Sequence, residues 1–118
     1  MEILEGLTIE GFKDNKDNKA FDVSAFDSDR IDAIRNIIRE RLVKRDTERI
    51  NLLGYSSYKL KHACERDVMA QGAPLRGYVA NGEFIYAMIL EGFSVSRFGM
   101  NAHFNVTLES VSKFCKNK

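Results

Sequence analysis

The residues best suited to chemistry lie together in YSSYKLKHACER, positions 55–66. Lys59, Lys61 and Arg66 can neutralise phosphates, and the hydroxyls of Tyr55, Ser56 and Tyr58 can hydrogen-bond to them. His62 belongs to the same run. Arg76 in the next loop, and Arg97 and Asn101 further on, extend the same patch. The pattern points to a polyanion, with duplex DNA as the expected partner. The plainer reading is a helix face that is merely solvated, since charged side chains of both signs cover most soluble proteins.

Catalytic chemistry finds less support. His62 and His103 are the only histidines. A thiol–imidazole pair needs Cys64 and His103 in contact, which sequence spacing does not provide. His62 and Cys64, two apart on a helix, point in different directions. His103 falls on the polar side of a strand, where a surface or hydrogen-bonded histidine is commoner than a base. No CxxC, HxH or HExxH spacing offers a metal site, so neither metal nor cofactor is expected. Asp14 and Asp17 in KDNKDNK resemble a calcium loop only superficially, because lysines intervene and the closing glutamate is missing. The phosphate-loop pattern G-x-x-x-x-G-K-[ST] is absent. No catalytic residue is assigned, and the chain is read as a non-enzyme.

The elements that must position these residues follow from periodicity. Ile31, Ile34, Ile38 and Leu42, widened by Ile37, predict an amphipathic helix from Ser28 or Asp29 to about Arg45. Thr47 is expected to cap a short continuation ending at Gly54. Ser56 or Ser57 opens a second helix to about Asp67, with Leu60, Ala63, Cys64 and Val68 on its buried side. Gly72, Pro74 and Gly77 set a loop over 70–77. A third helix spans 81–91. Asn81 is its expected N-cap, Glu83 suits the positive end of the helix dipole, and Gly92 with Phe93 forms the stop. This helix is apolar almost all round, so it is either central to the core or part of an oligomer contact.

Residues 93–98 and 102–108 alternate as a hairpin joined at Gly99–Asn101. Ala102, Phe104, Val106 and Leu108 share one side; His103, Asn105 and Thr107 share the other. Glu109–Lys116 adds a short helix with Val111, Phe114 and Cys115 on its apolar side. Residues 3–12 are read as an edge strand, 13–20 as a loop and 21–27 as extended.

Composition bounds the class. The chain has 118 residues, 44% of them apolar and 30% charged, as in one globular domain. No apolar run reaches bilayer length. The start, MEILEGLTIEG, lacks a secretory pattern. Cys64 and Cys115 read as reduced thiols of a cytoplasmic protein, with a single disulfide as the alternative. Residues 1–30 hold eight acidic and four basic side chains, and residues 31–118 hold nine and fourteen. The front is therefore acidic and the body mildly basic.

Three blocks carry a resemblance: YSSYKLKHACER at 55–66, GYVANGEFIYAMILEGF at 77–93 and NAHFNV at 101–106. Together they resemble small uncharacterised proteins of bacterial mobile elements and phages. The likeness covers about half the chain and implies a bacterial or phage cytoplasmic setting. It carries over no catalytic or binding residue.

The expected fold is α+β: an acidic extended segment over 1–27, then a core of about three helices followed by a C-terminal hairpin, the element order of a winged-helix module. The expected function is non-enzymatic binding of DNA or a nucleoprotein through Lys59, Lys61, Arg66, Arg76 and Arg97. The alternative is a protein–protein module, such as an inhibitor of a host defence enzyme. That view draws on the acidic front and the apolar third helix. Tyr86 and Leu90 on that helix are the expected contacts of a homodimer.

Overall fold

The helix that is apolar all round, α3 (Asn81–Leu90), is the axis of the molecule. The computed structural model describes residues 4–13, 21–53 and 55–116. Asp14 and Asp17, the calcium-like pair, lie outside them. Phe84, Ile85, Ala87 and Met88 of α3 are fully buried, which selects the core reading for this helix. Its stop is as the sequence predicts. Gly92 adopts a φ of 91°, its N–H donates to the Ile89 carbonyl, and the Phe93 N–H donates to the Met88 carbonyl. These two bonds satisfy carbonyls that the helix end leaves free.

The start of α3 differs from expectation. Ala80, not Asn81, is the N-cap residue. Glu83 replaces a capping side chain by accepting the Ala80 N–H at 3.0 Å. Asn81 is freed for tertiary work. Its Nδ2 donates to Asn101 Oδ1 at 2.9 Å and reaches the Glu10 and Met100 carbonyls at 3.4 and 3.3 Å. It thus ties both hairpins to the central helix.

Helix α1 (Ser28–Arg41) packs on α3 with its Ile31, Ile34, Ile37 and Ile38 face. Asp27 caps it by accepting the Asp29 and Arg30 N–H groups. The two helices run in the same direction. Arg30 meets Glu83 near their N-termini, and Arg35 and Arg39 both meet Glu91 at the far end. Burial pushes the Glu91 carboxyl up, but hydrogen bonds from Arg35 and Arg39 and their charges hold it below its ordinary value of 4.5. A lowered folded value stabilises the protein above the ordinary carboxylate range, and the gain is lost as acid titrates the group. Glu91→Gln is therefore expected to lower stability at neutral pH and to narrow the gap between neutral and acidic urea midpoints. An unchanged gap would refute this assignment.

Helix α1 ends four residues early, and no helix forms over 47–53. The backbone there pairs with a different partner. Val43 accepts the Thr107 N–H at 2.9 Å, Arg45 donates to the Asn105 carbonyl at 2.7 Å, and Asn51 donates to the Phe104 carbonyl at 3.0 Å. Lys44 and Val106 form an antiparallel bridge. Tertiary hydrogen bonds override a local helical preference. The anchor is Asn105, expected on the polar side but in fact buried. It accepts the Ser94 N–H at 2.7 Å and donates to the Thr47 carbonyl at 3.0 Å.

Strands β3 (Val95–Phe98) and β4 (Asn101–Phe104) are antiparallel, with Phe98 opposite Asn101. Asn101 therefore belongs to the strand, and Gly99–Met100 alone make the turn. Ala102, Phe104 and Val106 are buried as expected, whereas Leu108 is exposed because it opens α4 (Leu108–Lys116). The fold is thus α+β, with four helices among the described residues, one of them after the C-terminal hairpin. The N-terminal segment contributes more than an extended chain. Strands β1 (Leu7–Thr8) and β2 (Gly11–Phe12) form a small hairpin that sends Leu7 and Phe12 into the core.

Candidate nucleic-acid interface

Helix α2 (Ser57–Arg66) carries most of the chemistry read from the sequence. Leu60, Ala63 and Cys64 bury one side of it. Its first turn is pinned to the hairpin, because buried Ser57 accepts the Ala102 N–H on its Oγ at 3.0 Å. The helix stops at Arg66, and Asp67 caps a 3-10 turn over Val68–Ala70 by accepting the Met69 N–H. That turn buries Ala70 and leaves Val68 exposed, contrary to the expected burial of Val68.

The outer face of α2 and its lead-in presents Tyr55, Tyr58, Lys59, His62 and Arg66 to solvent or to half-burial. Basic and aromatic groups lie side by side along it. Lys59 Nζ lies 4.9 Å from the Tyr55 ring centre, and the Tyr58 and His62 rings meet edge-on at 4.6 Å. The single acid of α2, Glu65, is turned aside and neutralised. Its Oε2 accepts the Val79 N–H at 2.9 Å and Lys61 Nζ at 3.2 Å, and its Oε1 bonds His62 Nδ1 at 3.0 Å. Burial raises the Glu65 carboxyl, but these donors outweigh it and keep it below its ordinary value. The outer face is left net positive.

The five cations expected to form one patch separate. Lys59 and Arg66 share the outer face, and both bear electrostatically on Cys115 of α4. Lys61, two residues from Lys59, is buried on the other flank, with Nζ 5.5 Å from the Tyr58 ring centre and 5.6 Å from that of Tyr78. It is paired with Glu65 and unavailable to a phosphate. Arg76 is exposed in the 71–77 loop at a φ of 54°. Arg97 is committed to the N-terminal hairpin, its guanidinium 4.3 Å from the Phe12 ring centre and its Nη2 donating to the Lys13 carbonyl at 3.2 Å. Lys113 of α4, which sequence spacing does not single out, joins Arg66 on the wall of a cleft of 430 Å³ beside the Arg41–Asp67 pair. No local pattern signals that meeting, because α2 and α4 are distant in the chain.

Tyr86 packs against Phe21 and Phe26 at 5.1 and 4.9 Å between ring centres, while Leu90 is exposed. Both cysteines are free thiols. Burial, with nearby carboxylates, pushes the Cys64 thiol up, away from the thiolate that nucleophilic chemistry needs. His103 lies against Phe98, and no hydrogen bond joins it to Cys64 among the described residues. Among those residues no cluster of His, Cys, Asp and Glu could hold a metal ion, and no helix is long and apolar enough to cross a membrane. The chain matches no protein family, no curated protein and no solved structure.

Proposed function

We propose that the protein is a non-enzymatic nucleic-acid-binding module that lays the outer face of α2 along a phosphate backbone. One observation carries this reading: Lys59 and Arg66 share a solvent face from which the only acid of the helix has been withdrawn. Lys113 lies across the cleft in an exposed ion pair with Glu109. Cations on an exposed face gain affinity by releasing counterions from the nucleic acid, so binding weakens steeply with salt. On its resemblance to mobile-element and phage proteins alone, we assign it to that setting.

The test is fluorescence anisotropy with labelled DNA across a salt series. Reversing Lys59 and Arg66 to glutamate is expected to weaken binding by about tenfold or more at low salt. The slope of log affinity against log salt should shrink by roughly two, about one for each phosphate no longer neutralised. Lys61→Glu is predicted to act through stability rather than contact. No salt-sensitive binding, or an affinity indifferent to the double reversal, would defeat the proposal.

A protein partner is the second reading. The apolar α3 no longer argues for it, since that helix is spent on the core. What favours it is a hollow of 670 Å³ with Leu53 and Leu108 in its lining, both of them exposed. Capture of one partner, abolished by Leu53→Asp with Leu108→Asp, would establish that alternative.

A further inference from the structure

Two helix ends could lead into a DNA groove, and both are held by the rest of the fold to different extents. In helix-turn-helix proteins the N-terminal residues of the recognition helix reach the base edges. In α2 one side of that end is held: Ser57 is fully buried and accepts the Ala102 N–H of β4, while Tyr58 and Lys59 of the same turn are exposed. In α3 it is covered more tightly. The Gly82 N–H donates to the Ile9 carbonyl at 2.7 Å, and Asn81, Gly82 and Glu83 are all buried. The buried start of α3 therefore cannot enter a major groove end-on, and the start of α2 is open only on its outer side. The Arg97 side chain of the hairpin is likewise held against Phe12 and Lys13.

What remains is a broadside surface on α2 with rings among its cations. Tyr55 and Tyr58 are 44% and 53% exposed, which is a large apolar area to leave in water. Each is braced by a lysine, Tyr55 by Lys59 and Tyr58 by Lys61, so each ring is held in place before any ligand arrives. Against the outside of a duplex, whose bases are stacked inward, such side chains can offer only their hydroxyls to phosphates and not their ring faces to bases. Against an unpaired strand they offer faces on which bases can stack while neighbouring cations hold the backbone.

We infer that the ligand of the α2 face is single-stranded nucleic acid, with bases stacked on Tyr55 and Tyr58 and phosphates held by Lys59 and Arg66. The inference rests on the nucleic-acid reading above. It adds that base pairing must be absent for the tyrosine rings to stack on bases. Recognition of this type is tolerant of sequence, because every base has a π-face.

The experiment compares a labelled oligo(dT) of about twelve nucleotides, within the usual size of a single-strand site, with a duplex of equal length. Anisotropy is read at the same low salt. The single strand is expected to bind at least about tenfold more tightly. Tyr55→Ala with Tyr58→Ala should remove most of that advantage, weakening the single strand far more than the duplex. Tyr55→Phe with Tyr58→Phe, which keeps the rings and the fold, should retain it. Lys59→Glu with Arg66→Glu should weaken both ligands. A duplex bound as tightly as the strand, or tyrosine variants that lose both ligands equally, would overturn the single-strand inference while leaving nucleic-acid binding intact. Retained single-strand affinity in the alanine pair would also overturn it. Salt-insensitive or absent binding of both ligands would remove this inference and the reading beneath it together.

Discussion

Gly82→Ala is expected to unseat the N-terminal hairpin and to cost about 3 kcal/mol or more, at the top of the range for an overpacked site. An added Cβ would lie 1.7 Å from the Thr8 carbonyl oxygen and 2.6 Å from the Ile9 carbonyl. Both neighbours are backbone, so no side chain can swing aside. The hairpin must retreat from the start of α3, breaking the Gly82–Ile9 hydrogen bond and loosening the hold of Asn81 on Glu10. Leu7 and Phe12 would then leave the core. Thermal unfolding followed by circular dichroism should show the midpoint falling by roughly 10 °C or more. Amide exchange over residues 4–13 should accelerate first. Gly72→Ala is the control: a Cβ there meets nothing within 4 Å, so its midpoint should stay near that of the parent. If the two variants unfold alike, the close approach at Gly82 is not what holds the hairpin.

The second large effect is expected at Arg30. Its guanidinium grips Glu83 through Nε at 2.8 Å and Nη2 at 2.9 Å, and also donates to the carbonyls of Pro74 and Tyr78 at 3.0 and 2.8 Å. The hydrogen bonds to Glu83 outweigh burial and raise the Arg30 value. Glu83 is only 4% exposed. Removing its partner strands a buried carboxylate, which costs far more than the pair contributes when intact. Arg30→Ala should therefore destabilise by about 3 kcal/mol. Arg30→Lys should recover little, because an ammonium cannot fork between two carboxylate oxygens and two carbonyls. Adding Glu83→Leu to Arg30→Ala should return part of the loss, since no buried charge is then left unpaired. A single-variant cost below about 1 kcal/mol, or a double variant no better than the single, would show the pair to be peripheral.

Much of the helical framework was legible in the residues themselves. The isoleucine stripe of α1, the buried face of α2 and the Gly92–Phe93 stop depend on neighbours three or four positions away, so local spacing suffices to read them. The failures share one cause. Asn81 had the chemistry of a cap, but Glu83 took that role and Asn81 reached across to both hairpins. Residues 42–45 were expected to continue α1 and Thr47 to cap a further short helix, but β4 and its extension offered their backbone better partners. Asn105 alternated correctly as a polar position, yet the backbone groups of Ser94 and Thr47 claimed it. In each case an interaction distant in sequence outbid a local preference.

The candidate site divides along the same line. Composition and spacing alone determined that α2 would carry a dense run of tyrosines and cations, and that no metal or phosphate-loop motif was present. Only the tertiary structure decided which of those cations can meet a ligand. A helix turns through about 100° per residue, so Lys59 and Lys61 diverge whatever surrounds them. It took Tyr78, Val79 and the inward turn of Glu65 to bury one and leave the other facing solvent. Burial and charge pairing are set by what folds against a residue, and that information lies in other parts of the chain.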